Sequence, residues 1–124
     1  MGGEEDLKTV LVVDDDDGLR MLCRVNLELE GYRVLEAPTV VAAGAALDDE
    51  PVDVVLLDVH VGTGDGLGLI EHIRRVRPAA GVALFTGTAE VTPEQRSRVD
   101  AVLTKPFSLE QLSDTVGRLA RAGR

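Results

Sequence analysis

The sequence predicts an α/β fold, a five-stranded parallel sheet doubly wound by helices, and three observations predict it. Four largely apolar runs of strand length, Val10-Leu11-Val12-Val13, Val54-Val55-Leu56-Leu57, Val82-Ala83-Leu84-Phe85 and Ala101-Val102-Leu103-Thr104, read as strands buried on both faces, as in a parallel sheet. Helical patterns alternate with the strands, so the order is βα five times over. Parallel strands need crossovers, and helices supply them in a right-handed sense. Each run also ends in groups that can do chemistry: Asp14-Asp15, Asp58, Thr86 and Lys105. In open α/β sheets, ligands gather outside the carboxyl ends of the strands. Laid side by side, these runs would bring carboxylates, a hydroxyl and an ammonium to one edge.

Taken in order, the first strand covers residues 9–13, and the acids from Asp14 to Asp17 offer helix caps. Residues 19–30 place Leu19, Leu22, Cys23 and Leu27 on one helical face, with Gly31 as the stop. Residues 32–36 read as an edge strand. Pro38-Thr39 opens an alanine-rich helix over 40–49, in which Gly44 costs about 1 kcal/mol relative to Ala. The central strand and Asp58 follow, then a loop by composition, Gly62-Thr63-Gly64-Asp65-Gly66. Leu69, Ile70, Ile73 and Val76 sit at helical spacing, and His72 falls off that stripe as a solvated residue. Thr92-Pro93-Glu94-Gln95 combines an N-cap, Pro at N1 and Gln at N3, starting a helix of about two turns. Ser108-Leu109-Glu110-Gln111 is another capping box, with Leu109, Leu112, Val116 and Leu119 on one face beyond it.

Length and composition bound the function. The 124 residues suit one domain, expected over residues 9–122 behind a flexible lead-in over residues 1–8. Hydrophobic content of 44% is enough for a packed core, and with only Tyr32, Phe85 and Phe107 as aromatics, aliphatic residues must fill it. A net charge of -9 argues against binding nucleic acid or an anionic membrane directly, and the clustered acids favour a cation. The single cysteine, Cys23, excludes an internal disulfide framework, reads as a small core residue and fits a reducing cytoplasm. No apolar run approaches the length of a membrane span, and the acidic start Met1-Gly2-Gly3-Glu4-Glu5-Asp6 is not a signal peptide.

The edge residues define a chemistry. Close carboxylates repel one another unless a cation sits among them. All-oxygen ligation with room for water suits Mg²⁺. A lysine and a threonine hydroxyl beside them can meet phosphoryl oxygens, and positioned donors are what a loose, anionic phosphoryl-transfer transition state requires. A carboxylate nucleophile there would form an acyl phosphate.

With Val12-Val13-Asp14-Asp15-Asp16, Leu57-Asp58 with Asp65-Gly66 seven residues on, Phe85-Thr86-Gly87 and Lys105-Pro106-Phe107 in this order, the chain resembles a receiver domain of bacterial two-component response regulators over about residues 9–119. The resemblance implies a flavodoxin-like sheet of order 2-1-3-4-5. It also implies that Asp58 is the phosphoacceptor, with Lys105 as its ammonium partner and Thr86 as the switch hydroxyl. Mg²⁺ would be held by Asp14, Asp15, Asp58 and the backbone carbonyl of His60, and a cis peptide is expected before Pro106. Asp16 and Asp17 read as cap and surface. The implied partner is a histidine kinase or a histidine phosphotransfer domain, and the resemblance leaves room for a phosphorylation-dependent dimer. Such a domain is a signalling module whose only chemistry is self-phosphotransfer and auto-dephosphorylation.

The chain departs from the family pattern at four points. Val61-Gly62 replaces the usual Met-Pro, His60 replaces a commonly polar residue, Val102 stands where many relatives carry an aromatic switch, and the interval from Thr86 to Lys105 is short. By the same resemblance, the positions of His60, near the mouth of the phosphoryl pocket, and of Thr88 tune the lifetime of the acyl phosphate; the alternative for His60 is a solvated loop histidine with no such role. Two other readings compete. A Mg²⁺-dependent phosphatase with an aspartyl nucleophile, resembling haloacid dehalogenases, would need a second acid at position 60, which is His60. An inactive receiver-like scaffold would lack Asp58 or Lys105, and both are present.

Overall fold

A computed structural model describes residues 7–61, 64–87 and 91–122. Five parallel strands form its sheet: β1 (Thr9–Val13), β2 (Arg33–Ala37), β3 (Val54–Asp58), β4 (Gly81–Thr86) and β5 (Ala101–Thr104). Their order is β2-β1-β3-β4-β5, as expected. The helices between and after them are α1 (Asp17–Leu29), α2 (Val40–Asp49), α3 (Leu69–Val76), α4 (Pro93–Ser97) and α5 (Leu109–Ala122). None of these helices is long and apolar enough to cross a membrane.

Strand alternation divides the apolar runs into two cores, because successive side chains point to opposite faces. Leu11, Val13, Val55, Leu57, Val82 and Leu84 meet Ala43 and Leu47 of α2 and Leu69, Ile70 and Ile73 of α3. On the other face Val10, Val12, Val54, Leu56, Ala83 and Phe85 meet Cys23 and Leu27 of α1 and Leu112, Val116 and Leu119 of α5. Each fully buried Leu or Val contributes roughly 1.5–3 kcal/mol, so the three central strands anchor the domain. Burial pushes the Cys23 thiol up to about 12, which leaves it an inert core side chain.

The helix ends follow the sequence signals. Asp16 caps α1 through the N–H groups of Gly18 and Leu19, and Thr39 caps α2. Thr92 and Gln95 form a reciprocal capping box at α4, and Ser108 and Gln111 exchange the same pair of bonds before α5. Gly31 follows α1 with φ +96°, a conformation that favours glycine.

Several local expectations are corrected. The edge strand lies one residue later than its alternation suggested, because Thr9 pairs with Arg33 and Val13 with Ala37. Leu22 and Leu109 are exposed rather than core-facing. The buried line of α1 is the narrow series Leu19, Cys23, Leu27, and Leu22 lies one position round from it. Met21, Leu22, Val25 and Leu29 therefore leave an apolar stripe of α1 in solvent. His72 is partly exposed, as expected, and its Nε2 lies 2.9 Å from Asp48 of α2. Helix α4 is only five residues long and buries none of its side chains.

The loop predicted after Asp58 is more ordered than its glycines imply. His60–Val61 pairs antiparallel with Gly64–Asp65, and a 3₁₀ turn spans Gly66–Gly68; Gly62 and Thr63 lie outside the described residues. Gly66 makes this return possible. Its N–H donates to the Val59 carbonyl at 3.2 Å, and a Cβ there would strike the backbone carbonyl of Asp58 and come within 2.9 Å of that of Val59. Gly66→Ala should therefore destabilise the domain by about 3 kcal/mol, the upper end of the usual overpacking cost, since backbone carbonyls cannot rotate aside as a side chain could. Urea denaturation midpoints would measure it, and an unchanged midpoint would show that the turn accommodates the methyl.

Candidate functional site

Strand register assembles the edge. Val13 pairs with Leu57, Asp58 with Phe85, and Thr86 with Thr104. The next residues out are Asp14 after β1, Thr86 beside and just beyond Asp58, and Lys105 after β5. All four therefore leave the sheet at about one level, although up to 91 residues separate them. The apolar pairs beneath set this register: a slip by one residue would reverse every core side chain.

The ammonium of Lys105 sits between two carboxylates. Its Nζ donates to Asp14 Oδ2 at 3.0 Å and to Asp58 Oδ2 at 3.4 Å. Asp14 is fully buried, and its Oδ1 accepts the N–H of Asp16 at 2.9 Å. Asp58 keeps 13% of its side chain exposed, and its Oδ1 accepts the N–H of His60 at 3.2 Å. Thr86 is buried, and its carbonyl accepts the Lys105 N–H at 2.7 Å. Beneath the ammonium lies the Phe85 ring, whose centroid is 5.9 Å from Nζ. Phe107 stacks on that ring at 4.9 Å. The Lys105-Pro106 peptide is cis, as expected.

Electrostatics set the carboxylates against one another. Burial raises the pKa of Asp14 above the usual carboxylate value. The Asp58 charge adds to this, and the Asp16 N–H and Lys105 oppose it without overcoming it. Burial works against the charged form of Lys105 too, but the bonds and charges of Asp14 and Asp58 outweigh it and raise its pKa. One ammonium is therefore well held, while two carboxylates compete for it.

One carboxylate oxygen each from Asp14, Asp15 and Asp58 lies within 4.8 Å of the others. This is a hard, all-oxygen donor set, one member buried and one exposed, and it fits a hydrated divalent cation such as Mg²⁺ better than a soft metal. Of the expected site residues, the structure brings together Asp14, Asp15, Asp58 and Lys105, with Thr86 beside them in register. The His60 side chain is exposed on the two-residue ribbon, and Val102 is half-buried against the α2–α3 core. Thr88 lies outside the described residues.

Sequence reasoning passed over Arg20. Its guanidinium donates to the Asp14 carbonyl, to Asp17 and to Glu36 of β2. The spacing from Asp17 signals one of these contacts. The bond to the Asp14 carbonyl depends on how α1 turns back over the end of β1, and the bond to Glu36 on β2 lying beside β1; neither is revealed by a local pattern.

Comparison with known proteins places this geometry. The family model described as "Response regulator receiver domain" matches residues 10–117. The chain is 31% identical over 110 residues to the phosphate regulon transcriptional regulatory protein PhoB of Pseudomonas aeruginosa, covering 85% of this chain and 48% of that protein. It is 29% identical to sporulation initiation phosphotransferase F of Bacillus subtilis, covering 86% and 89%. Among solved structures, the response regulator protein TrrA from Thermotoga maritima in complex with Mg(2+)-BeF superposes with a TM-score of 0.83 at 27% identity, covering 91% of this chain and 99% of that one. The chain thus spans about half the length of PhoB and most of the length of the other two. With the sheet order, the assembled edge and a family match over most of its length, this chain belongs to the response regulator receiver domains, the phosphoacceptor signalling modules of two-component systems.

Proposed function

We propose that Asp58 takes a phosphoryl group from a phosphohistidine of a sensor kinase or phosphotransfer domain. The observation that carries this is Lys105 Nζ bridging the buried Asp14 and the partly open Asp58. In the transfer, an Asp58 carboxylate oxygen forms a bond to phosphorus as the phosphorus–nitrogen bond breaks. The donor imidazole, protonated on its other ring nitrogen, keeps that electron pair and leaves neutral. Lys105 moves its hydrogen bond from Asp58 to a phosphoryl oxygen, and the Thr86 hydroxyl turns to donate to another. Asp14, Asp15, Asp58 and the backbone carbonyl of His60 would hold Mg²⁺, which would neutralise charge on the phosphoryl oxygens. The Mg(2+)-BeF bound by TrrA supports this choice of cation. Water attack on phosphorus then breaks the bond from phosphorus to the Asp58 oxygen, releasing inorganic phosphate and returning the carboxylate, so the chain's own chemistry is self-phosphotransfer and auto-dephosphorylation. The domain occupies residues 9–122 in this reading, with residues 1–8 as its lead-in.

The same reading assigns the output. Val102 has no ring to follow a moving Thr86, and α4 buries no side chain. Output then runs through the exposed apolar stripe of α1 or through the segment 87–91, whose residues 88–90 lie outside those described.

Three outcomes test these assignments. Incubation with a small phosphodonor and Mg²⁺ should add one phosphoryl group to the wild type, seen by intact mass, and none to Asp58→Asn; an adduct on the same peptide of the variant refutes the nucleophile. Asp15→Asn should weaken Mg²⁺ binding about tenfold or more with the fold intact, because it removes a charged ligand. Amide exchange on phosphorylation should change at α1, and changes confined to α4 and β5 would refute the output assignment.

The raised pKa of Asp14 gives a pH signature. A group whose folded pKa lies above its unfolded value favours folding below the unfolded pKa and loses that contribution as pH rises through the folded pKa. Without divalent cation, Asp14→Asn should thus melt above the wild type at pH 7, by about 3–5 °C for each 1 kcal/mol relieved. The gap should shrink as pH falls toward the usual carboxylate pKa. A gap that stays constant or widens on acidification would contradict the burial of a charged Asp14.

A further inference from the structure

Four consecutive carboxylates, Asp14 to Asp17, reach this edge together with Asp58, and the chain must decide which of them face a cation. Two have other duties. Asp16 Oδ1 accepts the N–H groups of Gly18 and Leu19 at the start of α1. Asp17, whose side chain is 89% exposed, accepts from Arg20 Nη2. The same guanidinium donates from Nη1 to the Asp14 carbonyl at 2.7 Å and from Nε to Glu36 Oε1 of β2 at 3.1 Å. The Arg20 side chain is only 11% exposed. A guanidinium presents its donors in a rigid plane, so three contacts fix both its position and its orientation.

We propose that Arg20 is a positioning residue that sorts this run: it holds Asp17 outward and grips the Asp14 carbonyl, so that Asp14 and Asp15 are the pair presented to a divalent cation beside Asp58. This rests on the reading of the edge as a Mg²⁺ site. A purely Coulombic role predicts the opposite sign. Removing a nearby positive charge makes the edge more negative and should tighten Mg²⁺ binding. Loss of a group that orients metal ligands weakens binding, typically by 10- to 100-fold.

Calorimetric Mg²⁺ titration of the wild type, Arg20→Met, Arg20→Lys, Arg24→Met and Asp15→Asn separates the two. Arg20→Met should weaken Mg²⁺ binding by about tenfold. Arg20→Lys keeps the charge but not the fork, and should recover only part of that loss. Arg24→Met removes a cation that pairs with the same Glu36 while leaving the Arg20 bond to the Asp14 carbonyl in place, and should leave the affinity at the wild-type value. Equal or tighter binding by Arg20→Met overturns the proposal, and so does wild-type affinity in Arg20→Lys, which decides the matter if Arg20→Met fails to fold. Thermal melts in the absence of Mg²⁺ identify that case. If the wild type shows no saturable Mg²⁺ binding that Asp15→Asn weakens, the site reading falls and this inference with it. If the wild type binds and both Arg20 variants match it, this inference alone falls.

Discussion

The rest of the structure depends on one ammonium held between two carboxylates. Lys105 Nζ can reach Asp14 and Asp58 only if β1, β3 and β5 end at the same level. That level is fixed just beneath the charges, by apolar pairs such as Val13 with Leu57 and Leu84 with Val102. Nondirectional burial thus produces a directional result: period-2 alternation feeds two cores, and the register those cores impose aligns polar groups that have no other means of finding one another.

The edge is unfavourable by itself. Asp14 is buried beside another carboxylate, with too little positive charge to satisfy both. Such an arrangement persists only because the surrounding fold over-determines it, and the well-packed central strands supply that excess. The local frame is equally dedicated. The Asp16 N–H and the His60 N–H each hold one oxygen of the two carboxylates, and Gly66 lets the chain turn back against the Asp58 carbonyl. The unmet demand for positive charge is what a divalent cation would meet under the proposed function.

Much of this was legible in the sequence. Four apolar strand runs and one alternating edge strand, interleaved with helix signals, imply the winding, and Asp14, Asp58, Thr86 and Lys105 stand out because each comes at the carboxyl end of an apolar run. What remained hidden was what depends on neighbours distant in the chain. Leu22 has helical spacing compatible with burial, but the groove between β1 and α5 admits only the line of Leu19, Cys23 and Leu27. Leu109 was lost for a similar reason: the first turn of α5 stands clear of the sheet, and burial begins at Leu112. The ribbon after Asp58 has too few residues to show a period, and Arg20 looked like an ordinary polar position until β2 brought Glu36 beside it.

Helix α4 has a consequence of a different kind. It buries no side chain, and its start is held by the Thr92–Gln95 box. Substitutions at its exposed positions, Glu94 and Arg96 among them, therefore cost the fold little, usually within about 0.5 kcal/mol. The edge of the sheet opposite β2 can then drift in charge and shape while the phosphoryl chemistry stays intact. Such a domain can acquire new associates on that side, or lose old ones, faster than it can alter the edge where its carboxylates and lysine meet. Divergence between otherwise similar copies should accumulate there first.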